Sequence, residues 1–411
     1  MNRNAIVFLG IVVFASSSFA DPSSSREDSP VAWPPHVEQA LLKAKENRPE
    51  LVKALTSVPK EQRDGMIFLV ANMPEGDLQT LRADFLLENV EFAFKAKVQF
   101  PWAKPVPEAI FRNNVLPYAN LDESRDPWRR DLFDLCAPVV RDCLTASEAA
   151  TRLNSVLFNE LKVRYSKKRK KPSQSPKESI EQGLASCTGL SILLVDACRS
   201  VGIPARVVGT AALVDDLGNH SWVEIWDGDW HFTGACEADP KGLDHGWFEW
   251  AASKARKDAP MYAVYAASFQ KSAASFPLIW ATDRKDVPAE NVTDRYTKRA
   301  IAKNTKTTLA VRVWDGGQGK RLALPIVVKR AGTSDPLFEG TAKGEQDPLN
   351  RCLTFDLVPG SEYVIQVGKP VLIEQAVKAS DGIYLQFLDI EVPAQNPVPP
   401  QGKRPNEPKK P

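Results

Sequence analysis

The segment from Ser186 to Thr233 leaves the chain little choice of fold. Ser186 is a helix-capping type, Cys187 falls in the first turn, and Leu190, Leu193, Leu194, Ala197, Cys198 and Val201 recur at helical spacing. Gly202-Ile203-Pro204 must end that helix, because glycine supplies the left-handed C-terminal conformation and proline cannot continue it. Ala205 to Leu213 then reads as a strand and Asp215 to Asn219 as a turn. His220-Ser221-Trp222-Val223-Glu224-Ile225-Trp226 alternates as a second strand, and Asp227-Gly228 is a tight hairpin signal that returns the chain along Asp229 to Thr233. A buried helix followed by antiparallel strands predicts an α+β core.

The same segment gathers groups that can do chemistry. Strand alternation puts His220, Trp222, Glu224 and Trp226 on one face. With Asp227-Gly228 as a two-residue turn, His220 lies opposite Ala235, and Thr233 and Glu237 are its diagonal neighbours. A Cys at a helix N-terminus feels the positive end of the helix dipole, which favours thiolate. A His on the adjoining strand can take and return its proton, and a carboxylate beyond can fix the imidazole tautomer. Glu237 is the first choice for that carboxylate. Asp239, of the same parity but just before Pro240, is the second. Trp222 and Trp226 share the His220 face and could wall a cleft that grips an extended peptide. The chain has four His and six Cys; Cys198 reads as core, and His231 and His245 as surface or structural residues.

The wording around these residues is more specific than their spacing. Ser186-Cys187-Thr188-Gly189, then Gly202-Ile203-Pro204-Ala205-Arg206, then His220-Ser221-Trp222-Val223-Glu224 resembles the transglutaminase-like superfamily. That resemblance implies a papain-like core, a Cys-bearing helix packed on a small antiparallel sheet that carries His and an acid. It implies Cys187 as nucleophile and His220 as base. It also implies the backbone N–H of Cys187 as an oxyanion donor, with the Gln182 side chain as a second, since papain-like enzymes place a Gln just upstream. The third position departs from the pattern. In the family an Asp follows a Trp by four residues on the return strand; Trp230 matches that Trp, and four further on stands Gly234. Peptide:N-glycanases read Asp-x-Cys-Glu there, against Gly234-Ala235-Cys236-Glu237 here.

The rest of the chain supplies context. Arg3, an apolar run from Ala5 to Ala15 and the small-x-small triplet Ser18-Phe19-Ala20 read as a signal peptide over residues 1–20, and so as export to the periplasm or beyond. Residues 33–120 carry helical periodicity punctuated by Pro49, Pro59 and Pro74, with Phe100 to Asp126 as a long connection. Residues 121–300 are assigned to the transglutaminase-like domain. Residues 305–392 turn to short strands broken by Gly, Pro and Asp, which read as a β-sandwich. There Leu357-Val358-Pro359-Gly360-Ser361-Glu362-Tyr363-Val364 resembles transthyretin-like or carboxypeptidase-regulatory modules. Residues 393–411 are a Pro-rich tail.

Lys167 to Lys171 is a basic run without interleaved aromatics in a chain of net charge +2, so it reads as a solvated loop and no nucleic-acid partner is expected. Cys136 and Cys143 could close a small disulfide loop, but a continuous helix would hold them about 10 Å apart. No motif implies a metal or another cofactor, and no stable membrane insertion is expected after signal cleavage. The sequence therefore predicts an exported cysteine peptidase or amidase acting on peptide or protein, cell-wall material included. The competing expectation is a decayed core that binds such material without turnover.

Overall fold

The structure is a computed structural model that describes residues 32–213, 218–239, 241–298, 306–316, 319–347, 352–380 and 385–393. The expected signal peptide and nearly all of the Pro-rich tail lie outside these residues, as does most of the turn before His220. Among the described residues, no helix is long and apolar enough to cross a membrane.

Six helices, Pro35–Lys43, Arg48–Ser57, Arg63–Asn72, Glu75–Thr80, Ala83–Gln99 and Glu108–Asn114, surround one apolar core that includes Leu41, Leu55, Leu69, Leu86 and Phe111. The punctuating prolines act as expected for residues with fixed φ and no N–H. Pro49 lies in the first turn of its helix, and Pro74 directly precedes Glu75–Thr80. The stretch expected to be a plain connection contains a short turn of helix at Pro101–Ala103 and the helix Glu108–Asn114.

A second core surrounds the helix Cys187–Ser200. Thirteen of its fourteen residues are buried, and Cys187 alone is half-buried. The sequence shows one apolar face; the helix is covered all round because Trp128–Val139 and Ala146–Glu160 pack on its outer side. Each fully buried Leu on it stabilises the fold by roughly 1.5–3 kcal/mol. Its polar residues need partners in that setting. Arg199 donates to the carbonyls of Asn114, Ala119 and Ala205, each at 3.0 Å. Asn120 donates to Asp196 Oδ1 at 2.8 Å. Ser186 caps the helix by accepting from the Gly189 N–H at 3.1 Å.

Strands β1 (Arg164–Tyr165) and β2 (Leu184–Ala185) form a short parallel pair leading into Cys187. Between them lies Pro176–Gln182, opened by a Ser175/Glu178 capping box and closed by Gly183 at φ +66°. The main sheet contains β3 (Ala205–Leu213), β4 (Gly218–Trp226), β5 (Trp230–Thr233), β6 (Tyr265–Ala267), β7 (Ala274–Ser275) and β8 (Pro288–Asn291), in the order β5-β4-β3-β6-β8-β7. Strands β6 to β8 are two to four residues long, too short to show an alternation.

The hairpin register differs from the sequence expectation by one residue. Trp226 pairs with Trp230 and Val223 with Thr233, so the connection has three residues, Asp227 to Asp229. The Asp227 N–H bonds the Asp229 carbonyl at 2.9 Å, and Gly228 takes φ +82°. Strand parity therefore does not put Glu237 diagonal to His220.

Residues 307–392 hold β9 (Thr307–Asp315), β10 (Pro325–Arg330), β11 (Pro336–Thr341), β12 (Leu353–Leu357), β13 (Glu362–Val367), β14 (Ile373–Lys378) and β15 (Leu385–Val392). They make a sheet β11-β10-β13-β14 and a sheet β12-β9-β15 that share an apolar core. The unanticipated β11 is an exposed edge strand that begins with proline, a setting that imposes no buried alternation. The second sheet meets β1 and the loop after it, where the Arg164 guanidinium lies 4.1 Å from the Trp314 ring and Lys168 pairs with Glu391 at 2.7 Å.

Gly202 illustrates how tightly the second core is closed. It takes φ +75°, and a Cβ there would lie 2.8 Å from Ala103 Cβ. Gly202→Ala is expected to destabilise the protein by about 2 kcal/mol or more in urea unfolding, from left-handed strain plus overpacking. A loss below about 0.5 kcal/mol would show that the contact relaxes freely.

Candidate active site

The helix start and β4 bring Cys187 beside the His220–Ser221 peptide. The Cys187 sulfur accepts from the backbone N–H of Ser221, and Thr188 Oγ1 lies 3.0 Å from Ser221 Oγ. Burial pushes the Cys187 thiol above its ordinary value, and nearby Glu237 adds to the shift. The Ser221 and Thr188 N–H groups and the Thr188 hydroxyl pull the other way. The thiol is thus protonated at rest, rather than the thiolate that helix position alone suggests.

His220 is 4% exposed, and burial pulls its imidazole down to about 3, so it is neutral at pH 7. Its ring is caged by Trp247 at 4.6 Å and Phe248 at 4.9 Å, centroid to centroid, with Trp222 at 5.8 Å. Its Nε2 is buried without a hydrogen-bond partner and faces Glu237 Oε2 at 3.9 Å. That separation exceeds hydrogen-bond reach, because the same oxygen accepts from Trp247 Nε1 at 2.8 Å.

Glu237 arrives by a turn, not by a strand. After Thr233 the chain reverses: the Glu237 N–H bonds the Gly234 carbonyl at 3.3 Å and Cys236 takes φ +63°. Asn154, buried in the helix Ala146–Glu160, clamps this turn. Its amide donates to the Gly234 carbonyl at 2.8 Å, and its oxygen accepts from the Cys236 N–H at 2.9 Å. A Cβ on Gly234 would lie 2.9 Å from Glu237 Oε2 and 3.1 Å from Glu237 Cβ. Gly234 is outside the left-handed region, so space and not backbone conformation asks for glycine. The Glu237 side chain fills the room that a side chain at position 234 would need. Burial raises Glu237 to about 7, offset in part by the Trp247 hydrogen bond and by Arg312.

The other sequence candidates go elsewhere. Gln182 uses its amide on the basic loop: Oε1 accepts from the Lys170 N–H at 3.0 Å and Nε2 donates to the Lys168 carbonyl at 3.4 Å. Trp222 is fully buried beneath His220, stacked on Phe248 and donating to Tyr296 Oη at 2.8 Å, so it forms the floor of the cage rather than a cleft wall. Trp226 packs on Trp230 at the far end of β4. Asp239 accepts from the Lys241 N–H at 2.9 Å in its own turn, and no contact joins it to His220 among the described residues. His231 bonds Asp244 at 2.7 Å. Among the described residues all six Cys are free thiols, Cys136 and Cys143 included.

Trp247 and Asn154 have no spacing signal. Trp247 lies in a long loop, and Asn154 is one polar residue inside an apolar stripe.

Residues 134–249 match the family model of the transglutaminase-like superfamily, so the chain carries a transglutaminase-like domain there. Similar solved structures include a protein of Cytophaga hutchinsonii described as a "Putative Cysteine Protease", at 19% identity and TM-score 0.27, covering 36% of this chain and 50% of that one. Red sea bream transglutaminase is another, at 9% identity and TM-score 0.30, covering 68% of this chain and 65% of that one. The chain thus spans half the length of the first and 65% of the second. The comparison with curated proteins gave no match.

The raised Glu237 has a consequence for stability. Between its ordinary 4.5 and about 7, the folded chain keeps a proton that the unfolded chain has released. Stability therefore falls as pH rises through that window. Glu237→Gln removes the ionisation and keeps an oxygen for Trp247. Its unfolding free energy should exceed that of the wild type at pH 8, by at most roughly 3 kcal/mol, and its melting point with it, the gap closing towards pH 4.5. Equal melting at both pH values would mean that Glu237 carries no buried charge.

Proposed function

We propose that the chain is an exported thiol-dependent amidase or peptidase acting on peptide or protein amides, with Cys187 as nucleophile, His220 as base and Glu237 as its orienting acid. The observation that carries this reading is the set of groups around one stretch of β4: a half-buried thiol at a helix start that accepts from the Ser221 N–H, the neutral caged imidazole of the preceding residue, His220, and a carboxylate 3.9 Å from its Nε2. His220 takes the thiol proton as Cys187 Sγ bonds to the amide carbon, the Cys187 N–H supports the oxyanion, and the amine leaves with that proton as the C–N bond breaks. Water then cleaves the thioester, giving its proton through His220 back to the thiol and releasing the acid. Hydrolysis is preferred to cross-linking because nothing marks a site for an acceptor amine. Export rests on residues 1–20, and the two C-terminal sheets act as an accessory module of transthyretin-like sandwich type.

The 3.9 Å gap between His220 and Glu237 favours one alternative, a core that grips polypeptide without turnover. Alkylation separates the two. Iodoacetamide at pH 7 should modify Cys187 before the other cysteines, since burial pushes Cys136 and Cys236 up to about 12. His220→Ala should slow that reaction at least about tenfold. Equal rates with and without His220, read by mass spectrometry at Cys187, would leave only the binding role.

A further inference from the structure

The basic run after β1 is not a free surface loop. Ser166, next to Tyr165, bonds the Ala185 carbonyl through its N–H at 2.9 Å, and its carbonyl and hydroxyl accept from the N–H groups of Arg169 and Lys168. The Gln182 amide bonds the backbone at Lys168 and Lys170, and Ser186 donates to the Pro172 carbonyl. The loop is therefore moored at both ends to the residues just before Cys187. Two of its cations are neutralised: Lys168 by Glu391 and Lys171 by Glu178, each at 2.7 Å.

Arg169 is different. It is half-buried, and among the described residues its guanidinium bonds only the Lys167 carbonyl, at 2.9 Å, with its Nε buried and unpartnered. A half-buried guanidinium without a carboxylate is costly unless something else supplies one. Tyr165 pairs with Ala185, two residues before Cys187, and Ser166 after it carries the turn to Arg169, so phenol and guanidinium sit by the start of the Cys187 helix; the phenol is pushed up by its burial and by neighbouring Cys187, while Arg169 acts in the opposite direction.

On the reading of Cys187 as nucleophile, we infer that Arg169 is the cation of a carboxylate-binding subsite at the mouth of the site, so that the preferred substrate carries a carboxylate close to the amide attacked. That carboxylate is either an acidic side chain or a chain terminus. Tyr165 forms a partly apolar wall of the subsite, where a charge-assisted bond to Arg169 is less screened than on open surface.

The test compares iodoacetate with iodoacetamide at Cys187 of the full chain, each rate divided by that of N-acetylcysteine. Wild type should favour the anionic reagent, Arg169→Gln should lower the normalised ratio roughly fivefold, the scale of one partly screened ion pair, and Arg169→Lys should keep most of it. Should Arg169→Gln fail to fold, the wild-type ratio must still fall as NaCl rises from 0.05 to 0.5 M. Chloroacetyl peptides then separate the two sources: one with a free terminal carboxylate, one with an aspartyl side chain behind an amidated end, both against chloroacetyl-glycinamide. Faster reaction of either supports the subsite and names its source; acceleration of neither overturns it. A Cys187 that reacts with iodoacetamide in a His220-dependent way, yet whose ratio ignores Arg169 and salt, overturns the subsite and leaves the enzyme reading standing. A Cys187 inert to both reagents removes both.

Discussion

The structure depends on burying the Cys187 helix from every side. A helix that is covered all round must satisfy its polar groups internally, and Arg199 does most of this by reaching the carbonyls of Asn114 at the end of the helix Glu108–Asn114, of Ala119 in the loop after it, and of Ala205, the first residue of β3. The N-terminal helices, the helix itself and the main sheet are thereby fixed to one another. Cys187 is left as the one residue of that helix that is not fully buried.

The same burial sets the chemistry. Desolvation keeps the imidazole neutral and the thiol protonated, so a proton would move when a substrate is attacked rather than sit separated beforehand. It also makes the acid expensive to ionise. Trp247 answers for part of this by donating to Glu237 while its ring covers His220, so one side chain both cages the imidazole and holds the carboxylate. Closing the last ångström between Nε2 and Oε2 would need that indole to share the oxygen. Hydrogen bonds of this kind commonly tighten only when substrate is bound.

Local grammar made much of this legible. The Ser175 capping box, Gly183, the Ser186 cap, the Gly202 stop and the antiparallel strands β3 and β4 each have a physical cause within a few residues. Cys187 and His220 followed from those elements and from the motif text. Tertiary features were not legible. The three-residue hairpin loop changed the register, so the parity argument for Glu237 fails, and Glu237 comes to 3.9 Å from His220 Nε2 by a turn that Asn154 holds from another helix. Gln182 was assigned by analogy of position, but its amide is spent on a loop whose path no local rule determines. Trp222 belonged to the right face, yet that face is covered by Phe248 and Tyr296 from distant segments.

The central claim is that the acid has moved from position 234 to Glu237, and that glycine at 234 makes the room. The most direct measurement is the His220-dependent alkylation rate of Cys187 at pH 7 in three variants. Glu237→Gly should be slow, and Gly234→Asp should be slow because its side chain collides with Glu237. The double variant Gly234→Asp/Glu237→Gly should recover most of the wild-type rate, because either position then supplies the one carboxylate that His220 needs. A double variant no faster than Glu237→Gly, or a Glu237→Gly protein as fast as wild type, would contradict it.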